Sequence, residues 1–446
     1  MNKTIFEKKT SIIEIIPLLR CLSPVIDYTS IHRLYIIAEA MLSMSGRISM
    51  LGISRWTENG GSYRTIQRFF YSKINWGKLR WLFIRKYLIS FKNVILIVGD
   101  DVTVTKAGKK TYGMGRFFSS LYGKAVPSIG FLSLSLINVE GRKSYPVMME
   151  QIVKEKSPIE KTKVITPRKR GRPKGSGNKN RKQVELSAYL QFVQTTLKNM
   201  LSIIGNELSL IYFVFDGAFG NNDSLQMVRQ CGLHLISKLR FDSALFFPYS
   251  GEYSGRGRRK KYGNKVDYGK LPEKYLKSSS IEGNIQTHIY QMQLWHKLFA
   301  DLLNIVIIEK THLKTGKKRH IILFSSDLEL AYDKLIEYYR LRFQIEFNFR
   351  DAKQYWGLED FMNISKLAVY NAANLAMFMV NLSHVLLQQN SLIGLSMNDL
   401  KAWFRARKYV LDTFKLSQLN PDPILIQQTI YNVSSRGRVN PSVYLS

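Results

Sequence analysis

The sequence predicts an α/β protein: a mixed sheet flanked by helices, a β-rich insertion within it, and a helical, basic segment in front. Three observations lead there. Two continuous apolar runs, NVILIVGDD at 93–101 and LIYFVFDG at 210–217, read as strands buried on both faces. Stretches with a helical apolar period lie before, between and after them. Finally, 66 Lys and Arg stand against 33 Asp and Glu, a formal net charge of +33, which implies a polyanionic partner such as nucleic acid.

Composition narrows the class further. With 45% hydrophobic and 12% aromatic residues the chain can bury a large core, which argues against a disordered protein. Its length suggests two or three domains. Cys21 and Cys231 cannot build a disulfide framework or a zinc site, so a reducing, cytoplasmic setting is expected. The first apolar run is broken by Glu14 and lacks a cleavage site, so no secretory signal is read. The most apolar stretch, 367–387, carries Asn371, Asn374, Asn381 and His384, and reads as a buried core helix with no membrane contact.

Taken in order, residues 1–90 form short helices with Gly turns. They carry Arg47, Arg55, Arg64 and Arg68 in the texture of a helical DNA-binding domain. Residues 91–240 hold the two apolar runs, a pair of strands around Glu140-Gly141, a helix over 184–201 and a last strand, LHLISKLR. A basic loop at 164–183 interrupts them. Its segment 166–182 has eight Lys or Arg and no acid. Within it Arg170-Gly171-Arg172-Pro173 is similar to a minor-groove AT-hook core, and a loop that merely contacts phosphates is the equal alternative. A second basic stretch, 255–265, also reads as an exposed loop. Residues 241–325 alternate short apolar runs with turns, a β-rich insertion. Helical patterns at 328–356 and 364–389 make 326–390 a second, helical part of the sheet domain, and 391–446 is a C-terminal helical tail.

In so basic a chain the acids are informative. Asp100, Asp101 and Asp216 end apolar runs, where an unpaired carboxylate would be costly to bury, so a cation, a basic partner or an open site is required. Tyr339, Arg342, Glu346 and Lys353 follow at offsets of 0, 3, 7 and 14. On one continuous helix they would share a stripe about 60° wide, beside an apolar stripe of Leu341, Ile345, Phe349 and Trp356. A solvated helix with i,i+4 ion pairs is the plainer alternative, against which the aligned Tyr, Arg, Glu and Lys argue.

The spacing Tyr339-x2-Arg342-x3-Glu346-x6-Lys353 resembles the signature of a branch of bacterial insertion-sequence transposases, the cut-and-paste DDE enzymes. VGDDVT, FDGAFGN and SKLRFD resemble that family's blocks in the same order, and 130 positions separate Asp216 from Glu346, as a β-rich insertion there would require. The resemblance implies a ribonuclease-H-like catalytic fold. In it Asp100 or Asp101, with Asp216 and Glu346, would hold two Mg²⁺ or Mn²⁺ ions per active site. Three carboxylates suit such hard cations, and seven histidines without ligand spacing do not suggest zinc. Strand alternation lets only one of the adjacent aspartates face the site, and Asp100 is slightly favoured because it directly ends the apolar run.

Tyr339, Arg342 and Lys353 would then handle DNA, as would Lys238, Arg240 and the loop arginines Arg170 and Arg172. The implied partners are double-stranded DNA, both the element's inverted-repeat ends and a target, and a second copy of the chain in a synaptic dimer. A non-catalytic DNA-binding protein and a ribonuclease-H-like nuclease without strand joining are the alternative readings.

Overall fold

The computed structural model describes residues 14–57, 61–119, 122–154, 180–253, 255, 257–389 and 394–436. Five helices come first: α1 (Ile15–Leu19), α2 (Tyr28–Ser43), α3 (Met50–Trp56), α4 (Tyr63–Phe70) and α5 (Trp76–Tyr87). Asp27, Ser49, Ser62 and Asn75 cap the last four, each side chain accepting from a backbone N–H three residues on. These short helices gain most of their stability by burying one face. Ile66, Phe69 and Phe70 of α4 turn inward while Arg64 and Arg68 stay exposed.

Twelve strands among the described residues form one mixed sheet. β1 (Ile95–Thr105), β2 (Gly115–Ser119), β3 (Lys124–Asn138) and β4 (Lys143–Ile152) are paired antiparallel, the long β1–β3 ladder running from Ile95 opposite Asn138 to Thr105 opposite Ser128. α6 (Ala188–Ile204) then leads to β5 (Tyr212–Val214), parallel to β1, and α7 (Asn222–Arg229) to β6 (His234–Leu239), parallel to β5. β1, β5 and β6 are thus a parallel core within an otherwise antiparallel sheet.

The 241–325 region is β-rich as its alternating pattern predicts, with β7 (Leu245–Pro248), β8 (Tyr262–Lys265), β9 (Leu276–Glu282), β10 (Ile285–His296), β11 (Leu303–His312) and β12 (Lys318–Ser325). These strands extend the same sheet, because β12 pairs with β6 from Ile322 opposite Leu239 to Ser325 opposite Ile236. The basic stretch 255–265 departs from an open loop at its end. There β8 pairs with β7, and Tyr262 packs edge-on against Phe246 and Trp295.

After the sheet come α8 (Tyr332–Leu341), α9 (Gln344–Tyr355), α10 (Lys366–Leu387), α11 (Met397–Leu416) and α12 (Pro423–Ser434). α10 is buried along most of its length, and its asparagines explain why a helix so apolar carries amides. Asn371 donates to the Phe70 and Ser72 carbonyls, Asn374 to Met149, and Asn381 to Pro146, so each satisfies backbone groups that packing has cut off from water. Arg80 of α5 is wholly buried against the same helix, donating to the Val147 carbonyl and to both oxygens of Asn374. One core cluster therefore runs from Ile15 through the sheet to Phe404. Among the described residues no helix is long and apolar enough to cross a membrane.

Candidate active site

β1 does not stop at its aspartates but continues to Thr105, held by the β3 ladder. What stops is its other neighbour. The parallel β1–β5 pairing consists of Ile97 with Phe213 and Val98 with Val214. Asp100 and Asp216 each follow that last pair by two residues. Alternation therefore sends Asp100 to the same face as Val98, and Asp101 to the opposite one. β5 lies between β1 and β6, so Asp216 sits at the carboxyl end of an inner strand, where open α/β sheets place ligands, and not on an edge strand.

The turn after Asp216 is tightly specified. The Asp216 carboxylate accepts from the Ala218 N–H at 2.8 Å, and Ser237 donates to the Asp216 carbonyl at 2.7 Å. A Cβ on Gly220 would come within 2.1 Å of the Lys238 carbonyl oxygen, so this crossing over β6 admits only glycine.

The third acid arrives from the helices. Residues 328–356 are not one continuous helix. α8 ends at Leu341 and α9 starts at Gln344. Between them Phe343, Ile345 and Glu346 bond back three residues instead of four, to Arg340, Arg342 and Phe343. That tightening places Tyr339 on one helix, Glu346 and Lys353 on the next, and Arg342 in the turn.

The turn delivers Arg342 into the acids. One of its terminal nitrogens lies 3.0 Å from Asp100 Oδ2 and the other 3.5 Å from Glu346 Oε1. Burial pushes Asp100 up to about 6. Arg342 and the Asp101 N–H oppose that rise, while the neighbouring Asp216 and Glu346 charges add to it. Asp101 is also raised, by burial first and then by Asp100 and Asp216, against the hydroxyl of Tyr189, which donates to both its oxygens at 2.7 Å. The Tyr339 phenol, half-buried beside Arg342, is raised chiefly by burial.

Asp100, Asp101, Asp216, Glu346, Tyr339 and Arg342 thus come together around one sheet end. Lys353 reaches the site's margin, donating to the Thr103 carbonyl and pairing with Glu359, both at 2.9 Å. Lys238 lies beside Gly217 in the Asp216 turn, whereas Arg240 is paired with Asp242 at 3.0 Å on the surface. Arg170 and Arg172 lie outside the described residues. Tyr189 escaped the sequence reading, because a tyrosine on an amphipathic helix carries no local sign of a partner 88 positions away.

Among the described residues no three His, Cys, Asp or Glu side chains are arranged to hold one metal ion as they stand. The Arg342 guanidinium lies between Asp100 and Glu346. The donor chemistry suits a hard divalent ion: the groups are carboxylate oxygens, and the charges of Asp216 and Glu346 add to the rise of Asp100. Clefts of about 310 Å³ between α2, α3 and α11, and of about 400 Å³ beside α8, are lined by none of these acids.

No curated protein matches the chain. A family profile described as DDE superfamily endonuclease matches residues 21–300, more than half of the chain, including Asp100, Asp101 and Asp216 and ending before Tyr339 and Glu346. Endonucleases of this superfamily are transposase-like, act on DNA and typically use divalent metal ions. On that match, and with a mixed α/β sheet flanked by helices, the chain belongs to the DDE superfamily endonuclease family.

Proposed function

We propose that this endonuclease is a cut-and-paste transposase, which binds the inverted-repeat ends of its element, cleaves them, and joins them to a target. The observation that carries the reading is that Arg342 joins Asp100 to Glu346 at one end of the parallel core, with Asp216 close enough for its charge to raise Asp100. Asp100 is the ligand of the adjacent pair, because it faces Arg342 and Glu346 while Asp101 is engaged by Tyr189.

Asp100, Asp216 and Glu346 would hold two Mg²⁺ or Mn²⁺ ions, which supply an activated oxygen nucleophile and neutralise the leaving oxygen in phosphodiester cleavage and transfer. The chain's own cations do the rest. Arg342 exchanges a carboxylate for a phosphate without changing its charge state, since a guanidinium stays protonated and suits both. Tyr339, half-buried beside it, offers a phenol that its raised pKa keeps protonated and able to donate to a phosphate oxygen. Lys353 and Lys238 flank the site and contact the backbone on either side. Arg170 and Arg172, with the second basic stretch, add sequence-independent grip that salt weakens steeply. The helical N-terminal segment contributes DNA contacts through Arg64 and Arg68, two copies of the chain bring two ends together, and the protein acts in the cytoplasm.

The test is incubation of the protein with Mg²⁺ and linear DNA carrying the inverted repeats that flank its gene. Cleavage at the repeat ends followed by joined products supports the proposal. Cleavage that never leads to joining means a nuclease, and DNA that is bound but stays intact means a DNA-binding module.

A further inference from the structure

Tyr189 stands on α6, an element that carries none of the residues assigned above. Its hydroxyl donates to Asp101, with both carboxylate oxygens at 2.7 Å. Its ring stacks on Phe219, with centroids 6.0 Å apart and planes inclined by 29°. Phe219 in turn lies flat on Phe215 at 3.6 Å. Phe215 and Phe219 bracket Asp216 and the turn it caps. A single side chain therefore touches the strand of the first acid and the turn of the second.

That link matters because the sheet does not provide it. The last residues paired between β1 and β5 are Val98 and Val214, and beyond them the ladder that would space the two strands has ended. Asp100 and Asp216 both lie past that point. On one side β3 holds Asp100 through Ser133, and on the other Ser237 holds the Asp216 carbonyl. The distance between the two acids is thus left to contacts made across the gap.

We propose that Tyr189 is a positioning residue of the active site. By holding Asp101 on the α6 side and bracing the turn after Asp216 through Phe219, it sets the spacing at which Asp100 and Asp216 together take a divalent cation. This deepens the metal-dependent reading of the three acids and rests on it. Partners hydrogen-bonded to a metal ligand are worth about 10–100-fold in metal affinity, and Tyr189, acting through the ligand's neighbour, is placed at the low end of that range. Clamping Asp101 also restrains the backbone beside Asp100, since the two residues share a planar peptide and point to opposite faces of the strand.

The experiment is calorimetric titration of the full chain with Mn²⁺, comparing wild type with Tyr189→Phe, Phe219→Leu and Glu346→Gln. Binding to an inverted-repeat duplex without metal serves as the check on folding. Tyr189→Phe keeps the ring and loses only the hydroxyl. It is expected to bind Mn²⁺ roughly tenfold or more weakly, to keep its metal-free DNA affinity, and to recover cleavage as Mn²⁺ is raised. Phe219→Leu, which keeps the hydroxyl and removes the stack, is expected to weaken Mn²⁺ binding independently. Wild-type Mn²⁺ affinity in both variants overturns the role of Tyr189 while leaving the acids in place. Wild-type Mn²⁺ affinity in Glu346→Gln has a different meaning: the reading of the acids fails, and the role of Tyr189 with it.

Discussion

The guanidinium of Arg342 lies 3.0 Å from the carboxylate of Asp100, joining side chains 242 positions apart in the sequence. The pair is mostly buried, and the second guanidinium nitrogen extends it to Glu346. A cation is therefore already in place between two acids proposed to bind metal.

Removing that cation makes stability depend on metal. Arg342→Ala leaves Asp100 and Glu346 facing each other and is expected to cost about 1–3 kcal/mol. Thermal unfolding with and without Mg²⁺ checks it. The loss should shrink when Mg²⁺ is present, and an equal loss in both conditions contradicts the exchange of arginine for metal.

The adjacent aspartates should separate cleanly. Asp100→Asn is expected to abolish DNA cleavage, whereas Asp101→Asn, whose carboxylate is tied to Tyr189, should lower it about tenfold through altered positioning. Single-turnover cleavage rates at saturating Mg²⁺ decide this. Equal, mild losses in both would remove Asp100 from the ligand set.

Arg80 predicts a structural effect far from the acids. Its three hydrogen bonds tie α5 to β4 and α10, and burial lowers its pKa to about 10. Arg80→Ala would leave a cavity and orphaned carbonyls, at a cost of roughly 3 kcal/mol or more. Urea unfolding measures it, and a loss under about 1 kcal/mol would contradict the burial described.

His384 gives the pH dependence. Burial, with Lys143 nearby, pushes it down to about 4, and its ring meets Tyr145 edge-on. The unfolded chain takes up this proton near pH 6.5, well before the folded one does, so stability falls as pH drops from about 6.5 to 4. The loss from this group is at most about 3 kcal/mol. His384→Phe should remove that share of the slope in unfolding measured across the window, and an unchanged slope refutes it.

Much of this arrangement could be read from the chain because its strongest signals are local. The apolar runs before Asp100 and Asp216 announce buried strands, whereas the shared face of Tyr339, Arg342, Glu346 and Lys353 presumed one continuous helix, which the turn after Leu341 divides in two. Other features depend on partners distant in sequence. The break at Arg342 and Phe343 keeps right-handed helical dihedrals at both residues, so no Gly or Pro marks it. Arg80 belongs to a basic helix by sequence and to the core by packing. β1 runs past its aspartates because β3, not its own apolar run, determines its length. The basic stretch at 255–265 ends as a strand because Phe246 and Trp295 shelter Tyr262.

Mg²⁺-dependent cleavage of inverted-repeat DNA by Glu346→Gln, measured beside wild type where both bind the DNA, decides whether the three acids act together. Wild type is expected to give cut ends and the variant none, with DNA affinity retained. Cleavage by Glu346→Gln at the wild-type rate would contradict this, because the acid carried in by α9 would then have no part in the chemistry.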